Sequence, residues 1–251
     1  MFAAARTRRA QRALARQLAY QQRKAESLRG REAPAMAQMA RHSRAVAAKL
    51  AGVRPLAADA RVLEVGSGAH GLIFHFPGGE RVGVDPLADH YRTLFPAWQG
   101  LARTVAASGE ALPFADASFD VVLCDNVIDH ARDPAAILAE IARVLAPGGL
   151  LYFTVNVHHS FYAGASHVYG LWRALRLPFE VTPFADHTVH LTLSQARMLL
   201  AALPLAIEAQ SNSVAETRRA AASLRLRHPG EAIKRLFFKN ARFEAIAIRL
   251  P

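Results

Sequence analysis

The densest chemistry in the chain lies in Arg61–Gly71, RVLEVGSGAHG: a short apolar run, then glycines at 66, 68 and 71 in G-x-G-x-x-G order, with Glu64 two residues ahead of the first. Asp85 closes the next apolar run, 19 residues after Gly66. Glycines let a backbone approach a nucleotide closely, and a carboxylate at the end of the second strand accepts both hydroxyls of a ribose. The loop alone serves a nicotinamide dinucleotide or S-adenosylmethionine equally well, and a bare tight turn also satisfies it. Glu64 tips the balance, because a carboxylate there repels a pyrophosphate and suits a ligand carrying an ammonium and a sulfonium.

Other reactive side chains fall downstream. His130 follows the fourth apolar run in CDNVIDHARDP, at the sheet edge where open α/β proteins bind ligands, and is the candidate general base. The plainer reading is that it packs against the helix starting at Pro134. The stretch 158–192 holds five of the 11 histidines (His158, His159, His167, His187 and His190) and six of the 20 aromatics, the makeup of a lid or acceptor pocket or of a small helical core. No third ligand stands at a recognisable spacing from its histidine pairs, so no metal is expected. Cys124 ends an apolar run with no base beside it and reads as packing.

Short strands alternating with helices must position these groups. Apolar runs at Arg61–Val65, Arg81–Val84, Thr104–Ala107, Phe119–Cys124 and Leu150–Val157 point to a parallel sheet covered on both faces. Asp133 and Pro134 form an N-cap and first turn. Ile137, Leu138, Ile141 and Leu145 make one apolar stripe, and Pro147, Gly148 and Gly149 end the unit. A short helix is expected over Leu72–Phe76, a lead-in helix over 35–52, a basic helix over Val214–Leu226, and two further strands at Leu205–Ala209 and Phe243–Leu250.

Four ordered motifs, the glycine loop, Asp85, ASGEALPFADASFD and LAPGGLLYFTV, together resemble the class I S-adenosylmethionine-dependent methyltransferases, in particular their small-molecule, type 11-like branch. The resemblance covers about Arg61–Val157. It implies a Rossmann-like seven-stranded sheet, mostly parallel with the last strand antiparallel, and S-adenosylmethionine as cofactor. On this pattern Glu64, Gly66, Ser67 and Gly68 hold the methionyl part, Asp85 takes the ribose hydroxyls with Pro86 beside it, Ser108, Gly109 and Glu110 border the adenine, and Asp125 and Asn126 close over the amino-acid end. Two departures stand out. Ser108 occupies the place of the family's usual adenine-binding aspartate, so its hydroxyl or Glu110 must substitute, and the glycine loop is one residue longer than the commonest form.

Composition sets the remaining bounds. With 52% apolar and 20% charged residues the chain is of the folded globular class. Its one cysteine can form no internal bridge, which fits a reducing, cytoplasmic compartment. No apolar run reaches membrane-spanning length. The net charge of +11 is uneven: residues 1–50 hold 12 Lys/Arg against Glu26 and Glu32, and residues 211–251 hold nine against three acids, which leaves the middle mildly acidic. Such termini could touch polyanions or an anionic membrane, but an Ala/Arg-rich solvated helix gives the same count and is preferred. The head also has a transit-peptide makeup, while its arginines interrupt any secretory core. The expected organisation is a basic helical extension over 1–52 and a methyltransferase domain over 53–251, with 158–192 as an inserted lid.

Three functions compete on these residues. The leading one is methyl transfer to a small-molecule, lipid or glycan-precursor acceptor. An NAD(P)-dependent oxidoreductase has only the literal glycine spacing in its favour, and a non-catalytic protein of the same fold would bind polyanions through its basic termini. Nucleic-acid base methylation is disfavoured, since Asp125, Asn126, Val127 and Ile128 replace the Asn/Asp-Pro-Pro-aromatic tetrapeptide that resemblance would call for.

Overall fold

The computed structural model describes residues 2–162, 164, 189–223 and 237–251. Its centre is a seven-stranded sheet in the order β3-β2-β1-β4-β5-β7-β6, built from β1 (Arg61–Val65), β2 (Glu80–Val84), β3 (Arg103–Val105), β4 (Phe119–Asp125), β5 (Leu145–Val157), β6 (Leu205–Asn212) and β7 (Ala241–Arg249). The pairs from β3 to β5 are parallel, and β7 runs antiparallel between β5 and β6. The Rossmann-like sheet expected from the motifs is therefore present. Strand order reverses between β1 and β4, and in open sheets of this kind the crevice at the carboxyl ends of such a pair is where ligands bind.

Two apolar layers sandwich the sheet. On one face α2 (Glu32–Val53) buries Val46, Ala47 and Leu50 against Val62, Val121, Leu150 and Tyr152, while α3 (Ala88–Leu94) and the short α4 (Pro96–Gln99) add Tyr91 and Trp98. On the other, α5 (Pro134–Val144) and α6 (Leu193–Ala201) pack against Val122, Phe153 and Val155. The start of α5 follows from its sequence: the Asp133 carboxylate accepts from the Ala135 and Ala136 amides, and Pro134 sits where its missing N–H is not needed. Its buried stripe is Ile137, Leu138, Ile141 and Val144.

Several boundaries differ from the sequence reading for local reasons. The expected helix Leu72–Phe76 is a single 3-10 turn, Leu72–Phe74: the Glu64 carboxylate caps its first amides, and Pro77 keeps the helix from continuing past Phe76. The Pro147-Gly148-Gly149 turn lies inside the bounds of β5, where the pairing with β4 shifts register between Phe119 and Val121. The lead-in helix starts earlier, at Glu32, since Pro34 falls in its first turn and is tolerated there. Preceding it, α1 (Phe2–Leu28) turns Leu18, Ala25 and Leu28 toward the layer that holds Tyr91, Phe95 and Trp98. The basic helix α7 (Val214–Ala222) ends before Leu226, which lies outside the described residues. Most of the 158–192 segment does too: only 158–162, 164 and 189–192 are described.

Candidate functional site

Strand β1 delivers Glu64 and the glycine loop to the crevice. Gly66 and Ser67 donate their amides to Val84 O at 2.7 and 3.0 Å, which carries the loop across the end of β2 toward Asp85. Gly66 and Gly68 have φ of 71° and 56°, the left-handed region that favours glycine. Their surroundings differ. A Cβ on Gly66 would fall 2.5 Å from Val127 Cγ2, whereas one on Gly68 would meet nothing within 4 Å. Gly68 is thus the open surface of the loop, the point a ligand could approach.

The third glycine answers to the fold. A Cβ on Gly71 would fall on the Glu64 carboxylate and 2.5 Å from Ser67 O. We expect Gly71→Ala to destabilise the protein by about 1–3 kcal/mol through forced overpacking, and Gly68→Ala by about 1–2 kcal/mol through its left-handed backbone alone, with only the second exposed to the ligand and so impairing binding directly. Thermal melts and ligand titrations of the two variants check this contrast. Ser67 likewise turns inward, since its Oγ would lie 2.7 Å from a Cβ on Gly83 of β2.

Carboxylates converge on this loop. Glu64 is buried and accepts from Ile73 N at 2.8 Å and Leu72 N at 3.2 Å. Burial dominates its protonation and pushes its pKa up to about 8, opposed by those two amides and reinforced by the charges of Asp125 and Asp85. Asp85 accepts from Leu87 N at 2.8 Å and Gly68 N at 3.1 Å, yet burial still raises its pKa. Asp125, at the end of β4, accepts from Thr154 Oγ1 at 2.5 Å and from Arg242 Nη2 at 3.2 Å, and its other oxygen lies 3.9 Å from His42 Nε2. Asn126 beside it has a φ of 60° and accepts from Asn156 Nδ2 at 2.5 Å.

The adenine-side candidates are less uniform. Ser108 is exposed, and its Oγ accepts from Glu110 N at 3.2 Å. Gly109 packs close, a Cβ there falling 2.7 Å from Val65 Cγ1. Glu110 differs from the expected substitute acceptor: its carboxylate takes the Arg132 and Asp133 amides at 2.9 Å each and pairs with the Arg132 guanidinium at 2.7 Å. That leaves the Ser108 hydroxyl as the exposed acceptor of the three. Pro86 is exposed in the turn before α3. His130 sits in the 3-10 turn Ile128–His130 with its ring half exposed, 3.9 Å from Asp129 Oδ1. Cys124 is buried, and burial raises its thiol pKa well above the usual range. Among the described residues no group of three His, Cys, Asp or Glu could hold a metal ion.

Two side chains carry roles that no motif signals. Gln99, buried in α4, donates Nε2 to Ala69 O at 3.1 Å and Gly68 O at 3.4 Å, so it holds the glycine loop from behind. Val127 packs on Gly66. Neither is betrayed by sequence spacing, because each acts across the fold.

Comparison with known proteins agrees with this geometry. Residues 63–153 match the model of a methyltransferase domain. An uncharacterized methyltransferase of Mycobacterium sp. (strain JLS) is 43% identical over 98 residues, and the match spans 38% of this chain and 38% of that relative. Among solved structures, the YcgJ protein of Bacillus subtilis superposes with a TM-score of 0.58 at 21% identity, covering 84% of this chain and 99% of its own. A geranyl diphosphate methyltransferase in complex with S-adenosylmethionine gives 0.56 at 15% identity, covering 84% and 85%. Residues 63–153 are thus similar to a methyltransferase domain, the solved structures share the fold built on the sheet around β1, β2, β4 and β5, and the chain spans little more than a third of the curated relative's length.

Proposed function

We propose that the protein transfers a methyl group from S-adenosylmethionine to a small-molecule, lipid or glycan-precursor acceptor. The observation that carries this reading is the gathering of carboxylates at the glycine loop: Asp85 accepts from the Gly68 amide, Glu64 lies buried under Gly71, and Asp125 ends β4 beside β1. Three carboxylates close enough for the charges of two to raise the proton affinity of the third favour a cationic ligand and oppose a diphosphate. The same convergence argues against a nicotinamide dinucleotide despite the glycine spacing.

When bound, the cofactor supplies a methyl group on a positively charged sulfur, an already activated leaving arrangement. The chain's own residues then have mainly to bind and align. In this reading Asp85 accepts the ribose hydroxyls while bracing Gly68, and Pro86 flanks the ribose. Ser108 and Gly109 border the adenine, and Glu110 supports them by fixing the turn before α5. Gly66, Ser67 and Gly68 shape the backbone under the methionyl part, and Glu64 and Asp125 offset its positive charge, with Asn126 at the edge. His130 is the candidate base for an acceptor hydroxyl or amine. The lone cysteine fits a cytoplasmic setting, and the exposed arginines of the head, among them Arg16, Arg23, Arg41 and Arg44, offer contacts to an anionic membrane.

Isothermal calorimetry tests the cofactor class. S-adenosylhomocysteine should bind with a Kd on the order of micromolar and NADH should give no heat, and the reverse pattern would overturn the proposal. Methyl transfer from radiolabelled cofactor into small-molecule fractions sorted by polarity would then identify the acceptor.

A further inference from the structure

The head of the chain, read from its charge as a solvated extension, is docked against the back of the glycine loop. Leu18, Gln21, Ala25 and Leu28 recur at spacings of three and four residues on α1. Gln21 is buried, and the three apolar residues face the layer containing Tyr91, Phe95 and Trp98. Between these contacts Lys24 points inward, its Nζ 3.4 Å from Nδ1 of His70, the loop residue just before Gly71. A lysine on a merely solvated helix would turn its ammonium to water, whereas burial here lowers the Lys24 pKa.

His70 is gripped from its other sides. Its ring meets Phe95 edge-on with centroids 4.4 Å apart and Trp98 at 4.6 Å. Burial and the neighbouring Lys24 push its pKa down to about 4, so near neutrality it is uncharged and Nδ1 can accept from the Lys24 ammonium. Gln99 holds the two preceding carbonyls from the same side. A loop containing three glycines has much conformational freedom to lose on binding a ligand, and contacts that fix it beforehand reduce that loss.

We infer that α1 is a working part of the cofactor site, with Lys24 and His70 as positioning residues that preorganise the glycine loop. The inference builds on the proposed cofactor reading but makes a separate claim about the loop. Lys24→Met keeps the stem and removes the donor; His70→Phe keeps a ring against Phe95 and Trp98 and removes the acceptor. In the 251-residue chain each should raise the Kd for S-adenosylhomocysteine about 5- to 10-fold, and the double variant should be no worse than either single one, the mark of one shared interaction. Hydrogen exchange at 66–71 should quicken in both variants while β1 and β4 stay protected. An unchanged Kd, or effects that multiply in the double variant, would overturn the inference. If the unaltered protein fails to bind S-adenosylhomocysteine, the cofactor reading falls, and the exchange measurement alone decides whether α1 braces the loop.

Discussion

Asp85→Ala should weaken S-adenosylhomocysteine binding by about 100-fold, and Asp85→Asn by about 10-fold. The carboxylate already has one oxygen on Leu87 N and the other on Gly68 N, so it fixes the loop and the start of the next helical segment together. Each oxygen has a further lone pair, and two ribose hydroxyls are the partners the reading assigns to them. A hydrogen bond to a charged group contributes about 1.5–3 kcal/mol, so removing the carboxylate removes up to two such bonds to the ligand and releases Gly68 as well. The amide in Asp85→Asn retains one acceptor and so keeps part of the effect. Calorimetry on both variants, with thermal melts to establish folding, supplies the comparison. A folded Asp85→Ala protein binding within about twofold of the original would remove Asp85 from the site.

Sequence and structure agree best where a residue's role is local. The order of strand, glycine loop and strand from Arg61 to Asp85 is legible because an apolar run, a turn and a terminal carboxylate stand side by side in the chain. Helix α5 is legible because Asp133-Pro134 and a single apolar stripe suffice to define it. Roles that arise across the fold are not. Glu110 lies in the motif segment, yet its carboxylate faces amides 22 and 23 residues onward. Gln99 reaches back about 30 residues to the loop. The arginine count of the head hides the sparse stripe of Leu18, Ala25 and Leu28, and only the aromatic layer at Tyr91, Phe95 and Trp98 gives that stripe somewhere to pack. Gly71, read as part of a ligand motif, takes its meaning from the Glu64 side chain folded beneath it.

That buried Glu64 gives the site a proton linkage with a definite sign. Its pKa of about 8 in the folded protein stands above the ordinary carboxylate value of about 4.5, so the folded chain holds a proton that the unfolded chain has lost across that interval. Folding stability from this group is therefore fully present below about pH 4.5 and declines as pH rises toward 8, by an amount on the order of a few kcal/mol. Glu64→Gln mimics the protonated form and should flatten that part of the unfolding profile between pH 5 and 8, measured by denaturant melts. The same group should register the ligand. At pH 7 a carboxyl with a pKa near 8 is about nine-tenths protonated, and an ammonium brought into the crevice favours its ionised form. Binding of S-adenosylhomocysteine at pH 7 should then release close to one proton, seen as a dependence of the calorimetric enthalpy on the ionisation heat of the buffer. Glu64→Gln should abolish most of that release. Binding with no proton release in the unaltered protein would mean that the ligand's positive charge lies away from Glu64, and the methionyl end would have to be placed elsewhere along the crevice.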